Sequence, residues 1–165
     1  MTVNESQAAS LYRPRYKLKV MSMTSIVVID DVKSNRQILG KIIQTIDPGI
    51  AIHNFDSAEL ALGWINAQTP DLVITDYKMP GLDGIEFTKQ LRSQYKSQKI
   101  PILMITIVDD LVLPIYARAA GVTAMLRRPV DHHLVGTRIN NLLALRGRRK
   151  RLQLIIDNPP SHSPV

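Results

Sequence analysis

A small set of residues in this sequence could do chemistry together. Asp30 and Asp31 stand side by side after the apolar run Ile26-Val27-Val28-Ile29. Asp76 follows Leu72-Val73-Ile74-Thr75, Thr106 closes the run begun by Ile102, and Arg127-Arg128-Pro129 comes directly after residues 123–126. Three carboxylates gathered in one cleft repel, and their joint ionisation is costly without a cation. Oxygen-only ligands suit a hard ion, and Mg²⁺ takes only a few carboxylates while keeping several waters. Asp31 and Asp76 as ligands, with Asp30 nearby through water, meet both demands. Singly, each feature has an ordinary explanation: an acidic pair can cap a helix, an aspartate can end a strand, and a threonine is a common strand-end hydroxyl. Their recurrence at the same end of successive strands carries the reading.

The elements that must position them alternate regularly. The β-branched run 26–29 predicts a buried strand. Ser34 is a candidate helix cap, and Ile38, Leu39, Ile42, Ile43 and Ile46 recur at helical spacing up to Asp47-Pro48-Gly49. Residues 50–55 alternate as a second strand, and Ser57 can cap a helix carrying Ala58, Ala61, Leu62 and Ile65. Residues 72–75 make a third strand, Gly81 and Gly84 frame a loop, and Ile85, Phe87 and Leu91 mark the next helix. A fourth strand spans 102–106. Val112, Ile115, Tyr116 and Ala119 indicate a helix that Gly121 ends, with Pro114 early, where proline is tolerated. Residues 123–126 form a fifth strand, and Asp131 can cap a final helix carrying Leu134, Val135, Ile139, Leu142 and Leu143. Five strand–helix repeats imply an α/β fold: a doubly wound five-stranded parallel sheet with helices on both faces. Ligands in such folds bind at the carboxyl ends of the strands.

The pattern resembles the receiver domain of two-component response regulators, a flavodoxin-like sandwich. Residues 26–31 match that family's acidic pair, followed by Asn35-Arg36, and Asp76-Tyr77-Lys78-Met79-Pro80-Gly81-Leu82-Asp83-Gly84 is close to its phosphoacceptor loop. Residues 101–106 match its fourth strand and switch hydroxyl, and Gly121 and Arg128-Pro129 match its last strand and turn. The resemblance covers about 25–145. It implies that Asp76 accepts a phosphoryl group from a histidine kinase or a phosphotransfer protein, without turnover beyond slow self-dephosphorylation. It further implies Mg²⁺ held by Asp31, Asp76 and the Lys78 backbone carbonyl, with Asp30 behind them. Thr106 would then turn to the new phosphate and pass the change to a downstream protein target.

Three positions depart from the family. Arg128 stands where lysine is usual, and a planar guanidinium does not replace a compact ammonium neutrally. Either it still supplies the cation, or phosphorylation and its coupling are altered. Arg127 beside it is expected to face solvent. Met125 occupies a place often held by an aromatic that turns inward on activation, and methionine cannot repeat that rotamer switch. Ile107 replaces a small residue and is expected to narrow access to Asp76. These departures keep a second reading open, a pseudo-receiver that signals by interaction without phosphate.

The rest of the sequence sets limits. The net charge is +7, yet residues 20–137 are nearly neutral, so the basicity belongs to the ends. With no cysteine there is neither a disulfide framework nor a cysteine-based zinc site. No apolar run approaches the roughly 20 residues that span a bilayer, so no membrane insertion is expected and the location read is cytoplasmic. The expected organisation is a flexible basic arm over 1–22, a receiver over 23–146, and a basic helix extension with a disordered Pro-rich tail over 147–165. Gly147 is a possible break in the last helix. Such a helix resembles the junction that leads into cyclic-dinucleotide phosphodiesterase domains of the HD-GYP type, but nothing follows it here. The chain therefore reads as a stand-alone receiver or a fragment. The basic run 148–151 lacks a recognition helix or aromatic platform, so nucleic acid is an unlikely partner. A homodimer using Arg118, Asp109 and Asp110, or the extended last helix, is conceivable. His132 and His133, about 100° apart on a helix, are read as surface or cap residues rather than metal ligands.

Overall fold

The computed structural model describes residues 23–94 and 100–157. The strands are β1 (Ser25–Ile29), β2 (Ala51–Phe55), β3 (Leu72–Thr75), β4 (Ile102–Thr106) and β5 (Ala124–Arg127). The helices are α1 (Lys33–Ile46), α2 (Ala58–Ala67), α3 (Gly84–Gln94), α4 (Leu113–Ala120) and α5 (His132–Asp157). All pairings are parallel and the strand order is β2-β1-β3-β4-β5. The direction in which strands are added to the sheet therefore reverses between β1 and β3, the switch point at which doubly wound sheets open a cleft. Asp30 and Asp76 flank that point.

Alternation along the strands divides the core in two. Ile26, Val28, Ile74, Leu103 and Ile105 face α1 and α5, packing on Leu39, Ile43, Val135 and Ile139. Val27, Ile29, Val73 and Ile102 face α2 and α3, where Phe87, Leu91, Ala61 and Ile65 bury them. The central strands are covered on both faces, which explains their near-continuous apolar runs.

Several local expectations hold. The Ser57 hydroxyl accepts from the Leu60 N–H at 3.3 Å, and Asp131 accepts from the Leu134 N–H at 2.9 Å, each a helix cap. Pro114 sits in the first turn of α4, and Gly121 ends it in the left-handed region at φ 108°. Others are corrected. Ser34 is not a cap: α1 starts at Lys33, and Asp30 Oδ1 takes the Val32 N–H at 2.9 Å, fixing the entry to the helix from two residues upstream. Gly147 does not break the last helix, which runs on to Asp157. A glycine there costs roughly 1 kcal/mol, and beyond it the ion pair of Lys150 with Asp71 ties the helix to the body. The residues that marked α4 turn out to be its exposed side. Leu113, Ala117 and Ala120 face the core, while Val112, Ile115 and Tyr116 face outward. The expected basic arm over 1–22 and the Pro-rich end from 158 lie outside the described residues.

Candidate functional site

Asp30 is the most constrained acid of the cluster. Its side chain is 1% exposed. Oδ1 accepts from the Val32 N–H and from Asn35 Nδ2 at 3.1 Å, and Oδ2 accepts from Arg128 Nη2 at 2.8 Å. Arg36 Nη1 donates to the Asp30 main-chain carbonyl. With both oxygens already engaged, Asp30 is better suited to stand behind a metal than to coordinate it directly. Arg128, reaching across from the end of β5, makes its ion pair with Asp30.

Asp31 is exposed and Asp76 half-buried, and each offers an oxygen within 4.8 Å of the others and of Asp30. The Asp76 N–H donates to the Ile29 carbonyl at 2.9 Å, tying the two strand ends together, and its Oδ1 accepts from the Tyr77 N–H at 2.7 Å. Burial pushes the Asp76 carboxyl above the ordinary aspartate range, and the charges of Asp30 and Asp31 push the same way. The Tyr77 N–H and Arg128 pull it down without prevailing. A carboxyl raised in the folded state takes up protons on folding, so stability is lost as pH rises through its folded-state value. Asp76→Asn is therefore expected to melt several degrees above wild type at neutral pH without divalent cations. The gap should close as pH falls through the carboxylate range. Melting curves at the two pH extremes check this, and an equal gap at both would contradict it.

The loop after Asp76 is held from several directions. Met79 is buried in the α2–α3 core, and Lys78 extends its side chain to solvent. The Gly84 N–H closes the loop on the Tyr77 carbonyl at 2.7 Å. Asp83 Oδ1 accepts from the Ile85 and Glu86 N–H groups at 2.8 Å, and Glu86 Oε2 accepts from the Asp83 N–H at 3.1 Å. This is a reciprocal capping box. Glu59, on α2, accepts from the Leu82 N–H at 3.1 Å, and such backbone hydrogen bonds lower its carboxyl. The capping box was detectable as Asp-x-x-Glu ahead of an apolar run. The reach of Glu59 leaves no local signal.

Thr106 is fully buried, and its hydroxyl accepts from the Val108 N–H at 3.1 Å, leaving its own proton to donate elsewhere. Its main-chain carbonyl accepts from the Arg128 N–H at 2.7 Å, so Thr106 and Arg128 share one backbone tie. Ile107 is 67% exposed beside it. Met125 packs, half-buried, against the α3–α4 cluster. Arg127 is exposed as expected and pairs with Asp109, while Asp110 accepts from the Val112 N–H at 2.9 Å. His132 and His133 are exposed at the start of α5.

The comparisons with known proteins agree with this geometry. Residues 26–140 match the model of the response regulator receiver domain. The chain belongs to the response regulator receiver family. Over 122 residues it is 39% identical to the cyclic di-GMP phosphodiesterase response regulator RpfG of Xanthomonas campestris pv. campestris (strain 8004), covering 74% of this chain and 32% of that one. It is 25% identical to Protein PilH of Pseudomonas aeruginosa, covering 74% of this chain and 99% of PilH. The chemotaxis protein CheY4 of Vibrio cholerae superposes with a TM-score of 0.67 at 26% identity, covering 73% of this chain and 99% of CheY4. The chain thus spans about a third of RpfG but nearly all of PilH. Receivers are generally phosphoacceptors rather than enzymes, bind Mg²⁺ through an acidic pocket, and interact with histidine kinases or phosphotransfer proteins. Among the described residues, no helix is long and apolar enough to cross a membrane.

Proposed function

We propose that this receiver is a working, Mg²⁺-dependent phosphoacceptor in which Asp76 takes the phosphoryl group. The observation that supports this most is the set of three convergent carboxylates at the β1–β3 switch point, one of them buried and fully hydrogen-bonded. An oxygen-only donor set with two accessible carboxylates fits Mg²⁺. Asp31, Asp76 and the Lys78 carbonyl would hold the ion, with Asp30 behind them. When bound, it would neutralise charge on the transferring phosphoryl group.

In the transfer itself, an Asp76 oxygen forms a bond to phosphorus as the bond to the donor imidazole nitrogen breaks, and the imidazole keeps the electron pair. The Thr106 hydroxyl donates its free proton to a phosphoryl oxygen. Arg128 supplies positive charge beside the cluster in the place where lysine is usual. The receiver body is assigned to residues 23–146 and the location to the cytoplasm. The donor is a histidine kinase or phosphotransfer protein, and the signal passes to a protein target by surface contact.

Exposed Ile107 beside Thr106 would slow entry of small donors. Acetyl phosphate added with Mg²⁺, followed on a phosphate-affinity gel, should give a retarded band that EDTA prevents. Ile107→Ala should reach the same level several times faster. Retardation that survives EDTA would count against the metal role, and identical time courses against the steric role of Ile107.

A further inference from the structure

Among the described residues β2 is an edge strand, paired only with β1. The Ala51 N–H donates to the Thr24 carbonyl at 2.9 Å, and the Phe55 carbonyl accepts from the Asp30 N–H at 3.2 Å. Both groups therefore point toward β1. Since backbone groups alternate along a strand, Ile52 and Asn54 turn theirs outward. Trp64 covers the α2 side of β2 by stacking on His53, with centroids 4.2 Å apart. The α1 side is open: Ile52 and Asn54 there form one wall of a groove of about 640 Å³ whose other wall is α1.

The α1 wall is basic. Lys33, Arg36 and Lys41 line it, and none of the lining residues is acidic. Arg36 is already fixed, because its guanidinium holds the Asp30 carbonyl. An open strand edge beside a groove is a site for strand addition, where main-chain bonds give affinity and neighbouring side chains give specificity. The charge selects among occupants. The chain's own N-terminal arm carries Arg13, Arg15, Lys17 and Lys19 and would be repelled. A second copy paired edge to edge would set like cations against one another, a common protection against self-pairing.

We propose that the β2 edge and the basic face of α1 form a docking site for an extended acidic peptide of a partner protein, bound as a sixth strand. Arg36 ties the near end of the groove to the Asp30 carbonyl, and Gly40, Lys41, Gln44 and Ile50 carry it away from the carboxylate cluster. Gly40 supplies a clean block: it lines the groove, and a Cβ added there meets nothing within 4 Å. Gly40→Phe would project a ring from this open position on the groove wall.

The test titrates the ¹⁵N-labelled full chain with an octapeptide of alternating Glu and Val. The expected result is shifts and slowed hydrogen exchange at the Ile52 and Asn54 amides. Affinity should fall roughly tenfold or more in Lys33→Glu/Lys41→Glu, as for removal of matched interface charges, and be lost in Gly40→Phe. Equal binding of a Lys/Val peptide, or shifts that leave the Ile52 and Asn54 amides unprotected, would overturn the proposal. So would shifts reproduced in full by sulfate, which would indicate a small-anion site instead. The two variants fail in different ways, one by charge and one by bulk. A folded spectrum for either one keeps the comparison decisive.

Discussion

Gly84→Ala is expected to be the most damaging single-methyl change in the molecule, lowering stability by about 3 kcal/mol and the melting temperature by roughly 10 °C. A Cβ at this position would lie 2.3 Å from the Asp76 carbonyl oxygen and 3.1 Å from Tyr77 Cα, and both atoms are backbone. Neither can swing aside as a side-chain tip would. The Asp76 backbone is also tied to Ile29, so relief must come from moving the loop after Asp76 or the start of α3. The gain in helix propensity from alanine is below 1 kcal/mol and acts at the first residue of α3, where it counts least. Gly40→Ala is the matched control. It has the same chemistry in a helix interior with open space around the new methyl, so it should be neutral or stabilise by about 0.5–1 kcal/mol. Denaturant melts of the two variants check the contrast. Equal effects would mean that the loop after Asp76 yields more easily than its ties indicate.

The second large effect is expected at Arg128. Removing it by Arg128→Ala leaves the buried Asp30 carboxylate with Val32 and Asn35 but without its cation. Breaking a buried pair from one side generally costs about 3–5 kcal/mol. Arg128 is 20% exposed and Asp30 keeps two neutral donors, so the lower end, roughly 2–3 kcal/mol, is expected. Mg²⁺ should then recover more stability in the variant than in wild type, because the cluster has lost its internal counter-charge. Arg128→Lys keeps the charge but changes its shape. It should lose about 1 kcal/mol or less and serve as a direct comparison with the lysine usual in the family. Urea melts with and without Mg²⁺ read all three proteins. If Arg128→Ala matched wild type, the Asp30 pair would not be the anchor described here.

Much of this was legible in the sequence, for definite reasons. β-Branched runs such as 26–29 and 72–75 announce strands buried on both faces, and their alternation with helical spacing sets the parallel sheet. Once that order is known, topology alone brings Asp30, Asp31, Asp76 and Thr106 to one edge. Contacts between distant segments left no trace in local pattern. Glu59 reaches Leu82 across 23 positions, and Arg128 finds Asp30 across 98. Local signals also misled where a neighbour did the same work better. Ser34 looked like a cap, but Asp30 holds the backbone at the start of α1. Gly147 looked like a break, but α5 runs on through it and Lys150 pairs with Asp71 beyond it. In α4, both sides carry apolar residues, so spacing could not say which side faces inward.

The central claim is that Asp76 accepts phosphate in an acidic site whose cation is arginine. It is tested most directly by intact mass after incubation with Mg²⁺ and phosphoramidate, followed by peptide mapping of the adduct. Wild type should gain one phosphoryl group, mapped to the peptide containing Asp76, and Asp76→Asn should gain none. An unmodified wild type that also stays unmodified with a phosphorylated histidine phosphotransfer protein, or an adduct that persists in Asp76→Asn, would contradict the account.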